Sequence, residues 1–225
     1  MKPAIMRMQA MVGATLLGAS ALSAQTLNVQ ISADIRSSQP GVNRDSLSDS
    51  VALNVGEGLV AFGEGGEVRP MLAESWTISE DGRVYRFDLR NDVVFHNGAH
   101  LTADIVKQSW EALMAAPEFN CASYFDGSRG AAVETIEAPD EDTVVFTLDK
   151  ADAMFLKYAA QSQCGGMAIM HPDSYAEDGS WDHPVGTGPF MFEDWVRGER
   201  IHLAKFTDYQ PQGEVIDATP GARRC

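Results

Sequence analysis

Across residues 26–31 the chain alternates Leu27, Val29 and Ile31 with polar neighbours, the period of a strand that buries one face. Residues 35–49 then hold Arg36, Arg44, several serines and the pair Pro40-Gly41. That stretch is too polar for a core element and is expected to run over a surface or a cleft. From Ser48 the period lengthens, with Val51, Ala52, Val55 and Leu59 recurring at spacings of three and four. This predicts a helix, loosened at its end by Gly56 and Gly58 and followed by a turn at Gly63-Glu64-Gly65-Gly66.

Further along, Trp76-Thr77-Ile78 and residues 84–90 flank Asp81-Gly82, a strong hairpin-turn signal. Tyr85, Phe87 and Leu89 would share the buried face, and Arg86, Asp88 and Arg90 would point to solvent. Thr102 is placed to cap a helix whose apolar stripe is Ile105, Val106, Ser109, Trp110, Leu113 and Met114, with Pro117 ending it. Residues 133–137 and 143–148 read as a second hairpin around Pro139-Asp140. Met154, Phe155, Tyr158 and Ala159 mark a short helix, and residues 190–196 and 201–206 form a last hairpin turning at Arg197-Gly198-Glu199. Hairpins interleaved irregularly with helices predict an α+β, or mixed α/β, fold.

Residues 1–24 stand apart from this pattern. Lys2 and Arg7 form a basic start, an apolar stretch follows from Ala10, and Ala19-Ser20-Ala21 through Ala24 offers small-residue cleavage sites. A cleaved secretory signal is expected. The alternative, a membrane anchor, is disfavoured because the stretch is about half the roughly 20 apolar residues a spanning helix needs. Composition adds one exclusion. With 17 Lys+Arg against 32 Asp+Glu in 225 residues, the net charge of -15 repels phosphate, and nucleic acid is not an expected partner.

Export changes the reading of the cysteines. Cys121 and Cys164 are expected to form a disulfide, with two buried thiols as the alternative, while Cys225 is left over. For chemistry, His96 and His100 lie four apart, but Asn97-Gly98-Ala99 between them is turn-like, so a shared metal is not expected. There is no His-Glu-x-x-His, no Gly-x-Ser-x-Gly and no phosphate loop, and Gly186-Thr187-Gly188 is too short for a dinucleotide fingerprint. Asp140-Glu141-Asp142 reads as a solvated turn, and Trp76, Trp110, Trp181 and Trp195 as packing residues. Neither catalysis nor a cofactor is expected.

Four ordered runs carry a resemblance: Leu72-Ala73-Glu74-Ser75-Trp76, Tyr85-Arg86-Phe87-Asp88-Leu89-Arg90, Val94-Phe95-His96-Asn97-Gly98 and Leu101-Thr102-Ala103-Asp104-Ile105. Downstream comes Pro184-Val185-Gly186-Thr187-Gly188-Pro189-Phe190. Together they resemble family 5 solute-binding proteins, the peptide- and nickel-type receptors of ABC importers, over residues 26–209. The resemblance implies the first lobe of a type II periplasmic-binding-protein-like fold. It also implies a monomeric periplasmic receptor that binds a peptide or similar small solute and delivers it to ABC permease subunits in the inner membrane. The motif residues Trp76, Phe95 and the Gly-Thr-Gly turn are implied to be structural. Asn43, Arg44 and Asp45, with Gly165 and Gly166 beside Cys164, are implied to line the ligand cleft.

Members of that family are longer. The expected partition is therefore a signal at 1–24, an N-terminal lobe at 25–209 and an aberrant tail at 210–225, with the second lobe absent. This is read as a truncation with impaired binding, of which a frameshift is one origin; a natural short paralogue is the alternative. A secreted enzyme or an independent acidic interaction domain remains the competing function, and a product with no function the third.

Overall fold

The computed structural model describes residues 26–211 and divides the chain into two units, one ending at Gln30 and the other beginning at Ile31. Of the first unit only residues 26–30 are described. The expected secretory signal lies outside the described residues, as does most of the expected tail. Residues 26–31 form no strand, and Leu27 and Val29 are largely exposed. Alternation alone does not make a strand: without a ladder partner its backbone groups stay solvated.

In the second unit, α1 (Ser46–Ala52) starts at Asp45, whose carboxylate accepts the amides of Leu47 and Ser48 at 2.9 and 2.8 Å. The helix is shorter than its sequence period predicts. Residues 55–60 are buried and non-helical up to β1 (Val60–Phe62), which pairs with β2 (Val68–Pro70). Close backbone approach explains the break. A Cβ on Gly58 would stand 2.0 Å from the Gly166 carbonyl oxygen, and one on Gly56 would stand 2.9 Å from the Ala168 Cβ. This connector is packed on all sides, so its Val55 and Leu59 spacing imitates a helix. Nor is the polar stretch 35–49 wholly superficial: Ile35, Gln39, Val42, Ser48 and Asp49 are buried.

Four antiparallel strands form the main sheet: β3 (Ala73–Ile78), β4 (Val84–Leu89), β5 (Val133–Asp140) and β6 (Thr143–Leu148), in the order β3-β4-β6-β5. Tyr85 faces Phe146 and Phe87 faces Val144 across the central pair. Tyr85, Phe87, Leu89, Val144, Phe146 and Leu148 are all buried, as the alternation predicts. Arg90 is the correction. Its expected place in solvent is contradicted: it is buried, and its guanidinium grips Asp92 at 2.9 and 3.0 Å. Pro139 is also displaced from expectation, lying within β5 rather than in the turn; β5 is an edge strand, and Pro139 falls in the register irregularity between Glu137 and Asp140, where the ladder is already interrupted.

Helix α2 (Ala103–Ala115) begins where Thr102 accepts the Ile105 amide, and it stops before Pro117. It lays Val106, Trp110 and Leu113 over the sheet. Trp110 meets Phe146 and Phe125 edge-on, at centroid distances of 4.8 and 5.1 Å, and α3 (Phe155–Ala159) adds Phe155 against Tyr85 at 4.6 Å. A separate two-stranded ladder, β7 (Phe190–Val196) with β8 (Arg200–Lys205), follows the Gly-Thr-Gly turn.

Candidate functional site

Two loops distant in sequence meet beside α1. Gly41 has φ +74°, and a Cβ there would lie 2.8 Å from the Cys164 carbonyl oxygen. Gly165 has φ +65°, and a Cβ there would lie 2.6 Å from the Gly41 amide nitrogen. The disulfide between Cys121 and Cys164 anchors this junction, and Val42 forms a bridge with Phe119. Gly41 therefore meets residues 164–165 backbone to backbone, and residues 42–45 lead from that junction into α1.

The side chains at and beside that junction differ in availability. Asn43 is exposed, with φ +43°, and its amide donates to the Glu118 carbonyl. Arg44 is already engaged: its guanidinium hydrogen-bonds Asp49, which raises its pKa further above the ordinary arginine value. Asp45 is occupied as the α1 cap. The Ser48 amide is the main cause holding its carboxyl below the usual value. Arg36, 3.2 Å from Asp45, keeps two thirds of its side chain exposed and is the more accessible cation. Gly165 is buried and Gly166 half-buried, so they offer backbone rather than open surface.

Sequence reasoning missed a second cluster. Glu57 is buried on the connector, where Thr187 Oγ1 donates to Oε2 at 2.9 Å and Tyr209 OH donates to Oε1 at 3.0 Å. Burial raises its pKa, against the pull of those bonds and of Arg90. A charged residue inside Val55-Gly56-Glu57-Gly58-Leu59 was the available signal.

His96 closes the same turn. Its Nε2 lies 2.9 Å from the Gly188 carbonyl, its Nδ1 accepts the Gly186 amide at 3.3 Å, and burial lowers its pKa. A neutral ring with the proton on Nε2 satisfies both contacts. Among the described residues no group of His, Cys, Asp and Glu could hold a metal ion. An open groove of about 290 Å³, bordered by His96, His183, Phe192 and Glu193, includes none of the residues expected to bind ligand.

Comparison with known proteins places this arrangement. Residues 67–218 match the family model for bacterial extracellular solute-binding proteins, family 5 middle region. The chain belongs to this family. It is 30% identical over 193 residues to the glutathione-binding protein GsiB of Salmonella choleraesuis, an alignment covering 86% of this chain and 37% of that protein. Among solved structures it is similar to Helicobacter pylori DppA in complex with peptide STSA. There the TM-score is 0.68 and the identity 31%, over 80% of this chain and 39% of the other. It is also similar to AgaA of A. tumefaciens R10 in complex with agropinic acid, with TM-score 0.63 and 34% identity, over 74% and 33% of the two chains. The chain thus spans between 33 and 39% of the length of these solute-binding proteins. The mixed α/β architecture is the part of the periplasmic-binding-protein fold that it shares with them.

Proposed function

We propose that residues 25–209 form the N-terminal lobe of a periplasmic receptor, exported by the 1–24 signal, that binds a peptide or a similar small solute for an ABC importer. The reading makes it a binder and not an enzyme, with permease subunits as its partners. The observation that carries it is the close backbone contact of Gly41, at the head of the 41–45 loop, with the disulfide-anchored residues 164–165, in a chain of a solute-binding family. The relatives' solutes, which include glutathione, a peptide and agropinic acid, support a small polar ligand. Arg36 and Asn43 would meet it, with backbone from Gly166, while Arg44 and Asp45 hold the loop in shape.

A good small-molecule site buries about 70 to 90% of its ligand. One wall does less, so these 225 residues by themselves should bind weakly. Titration with glutathione and with a dipeptide, followed by amide chemical shifts, should show fast-exchange shifts at Asn43 and Gly166 and little heat in calorimetry. Submicromolar affinity would overturn the one-wall reading, and shifts scattered away from both loops would overturn the site.

A further inference from the structure

The residues around Glu57 do more than satisfy a buried carboxylate. The connector touches three other segments through neighbouring groups. The Glu57 carbonyl accepts the Ile169 amide, its side chain accepts Thr187 and Tyr209, and Gly58 packs against Gly166. After β8 the chain is tied down repeatedly. The Phe206 amide donates to the Pro189 carbonyl at 2.9 Å, and the Phe206 ring meets His96 edge-on at 4.9 Å. Tyr209 reaches Glu57, and Arg90 Nη2 donates to the Gln210 carbonyl at 2.9 Å while its other contacts hold Asp92.

This is an expensive arrangement for a chain merely leaving a domain. Arg90 and Glu57 are both buried, and burying charge is unfavourable unless hydrogen bonds and opposite charge compensate. Both are turned toward one short stretch, residues 206–210. The family match extends through that stretch to residue 218, so it lies inside the region this chain shares with its family. We propose that Glu57, Thr187, Tyr209 and Arg90 form a clasp that fixes the position and direction of the chain at residues 206–210 relative to the loop at 164–169. The chain then leaves from a rigid base held by the same connector that supports the candidate ligand loops. The clasp does not depend on which solute is bound.

The charged and titratable groups around it are Arg90 and Asp92 after β4, His96 on the turn, Glu57 itself and Tyr209. Burial, and then the Glu57 charge, raises the Tyr209 phenol above its ordinary pKa, so it remains a donor.

Segment-resolved hydrogen exchange on the whole 225-residue chain tests this. In Tyr209→Phe, which keeps the ring and removes only the donor, exchange of the Phe206 amide and its segment should rise about tenfold, with β4 and β6 unchanged. Glu57→Ala should reproduce that local effect. Glu57→Gln, whose amide still accepts one hydroxyl and offers an N–H to the other, should stay nearer the wild type. An unaltered 206–210 segment in Tyr209→Phe would overturn the proposal. So would a rise spread equally over the four-stranded sheet, since the contact would then serve general stability.

Discussion

Glu57 shows what a single residue reveals and conceals. Its type and setting, a carboxylate between two glycines in an apolar run, mark it as unusual in the sequence. Its partners could not be found that way, because Thr187 and Tyr209 lie 130 and 152 positions away. The same holds for Arg44, which the resemblance implies to line the ligand cleft and which the fold engages with Asp49. For Glu57 the sign of the pH effect follows from burial. The folded state retains the proton to higher pH than the unfolded chain does. The stabilisation from holding that proton is complete below the ordinary carboxylate pKa. It is lost as pH rises from there through the raised folded value, and is constant above. Asp45 and Asp92 act oppositely, since their depressed values make stability fall as pH falls, so the raw pH profile mixes the two. The difference between Glu57→Gln and the wild type isolates the Glu57 contribution. The unfolding midpoint of the variant should gain on the wild type as pH rises through that window and then run parallel to it. A constant offset from pH 4 to 8 would contradict the assignment.

At the scale of elements, legibility followed how strongly each segment is two-faced. β4, β6 and α2 each bury one face, so their periods survive in the sequence, and Thr102 and Pro117 mark the helix ends. The connector at 55–60 buries every residue, so no period distinguishes it from the end of α1. Three-residue strands such as β1 and β2 are too short to carry a period. The glycines hold the lost information, for two different reasons. Gly58 is glycine because the backbone of Gly166 is in the way, whereas Gly198 has open space around it but φ +73°. Gly58→Ala must move one main chain off another and should cost about 3 kcal/mol or more in urea unfolding. Gly198→Ala should cost only about 1 kcal/mol. Equal losses at the two sites would remove close packing as the reason for the connector. The disulfide adds an independent restraint where the loop at Gly41 meets residues 164–165. Cross-linking residues 43 apart stabilises by about 4 kcal/mol in the chain-entropy account.

For the whole molecule, what matters is how unevenly its parts are supported. The main sheet has four strands and a helix-covered aromatic core, whereas β7 and β8 pair only with each other among the described residues. A two-stranded ladder is marginal by itself. This one is fastened at its turn by Asp34, which accepts Trp195 Nε1 and the Gly198 amide at 2.8 Å each, and at its base by Phe206. Phe190 and Val196 remain partly exposed, and among the described residues no further strand pairs with either outer edge, the usual template for pairing between chains. Two features oppose such pairing: the strands carry Glu193, Asp194, Arg200 and Lys205, and the net charge of -15 keeps molecules apart. Salt shortens the range of that repulsion, from about 30 Å at 0.01 M to about 8 Å at 0.15 M, and leaves edge pairing largely untouched. Self-association of these 225 residues should therefore rise with both concentration and salt, as read by light scattering. Asp34→Ala, by loosening the hairpin turn, should increase it and speed exchange in β7 and β8 before β4 or β6 responds. Association that falls with added salt would show attraction between opposite charges instead, and the open hairpin edges would not be its cause.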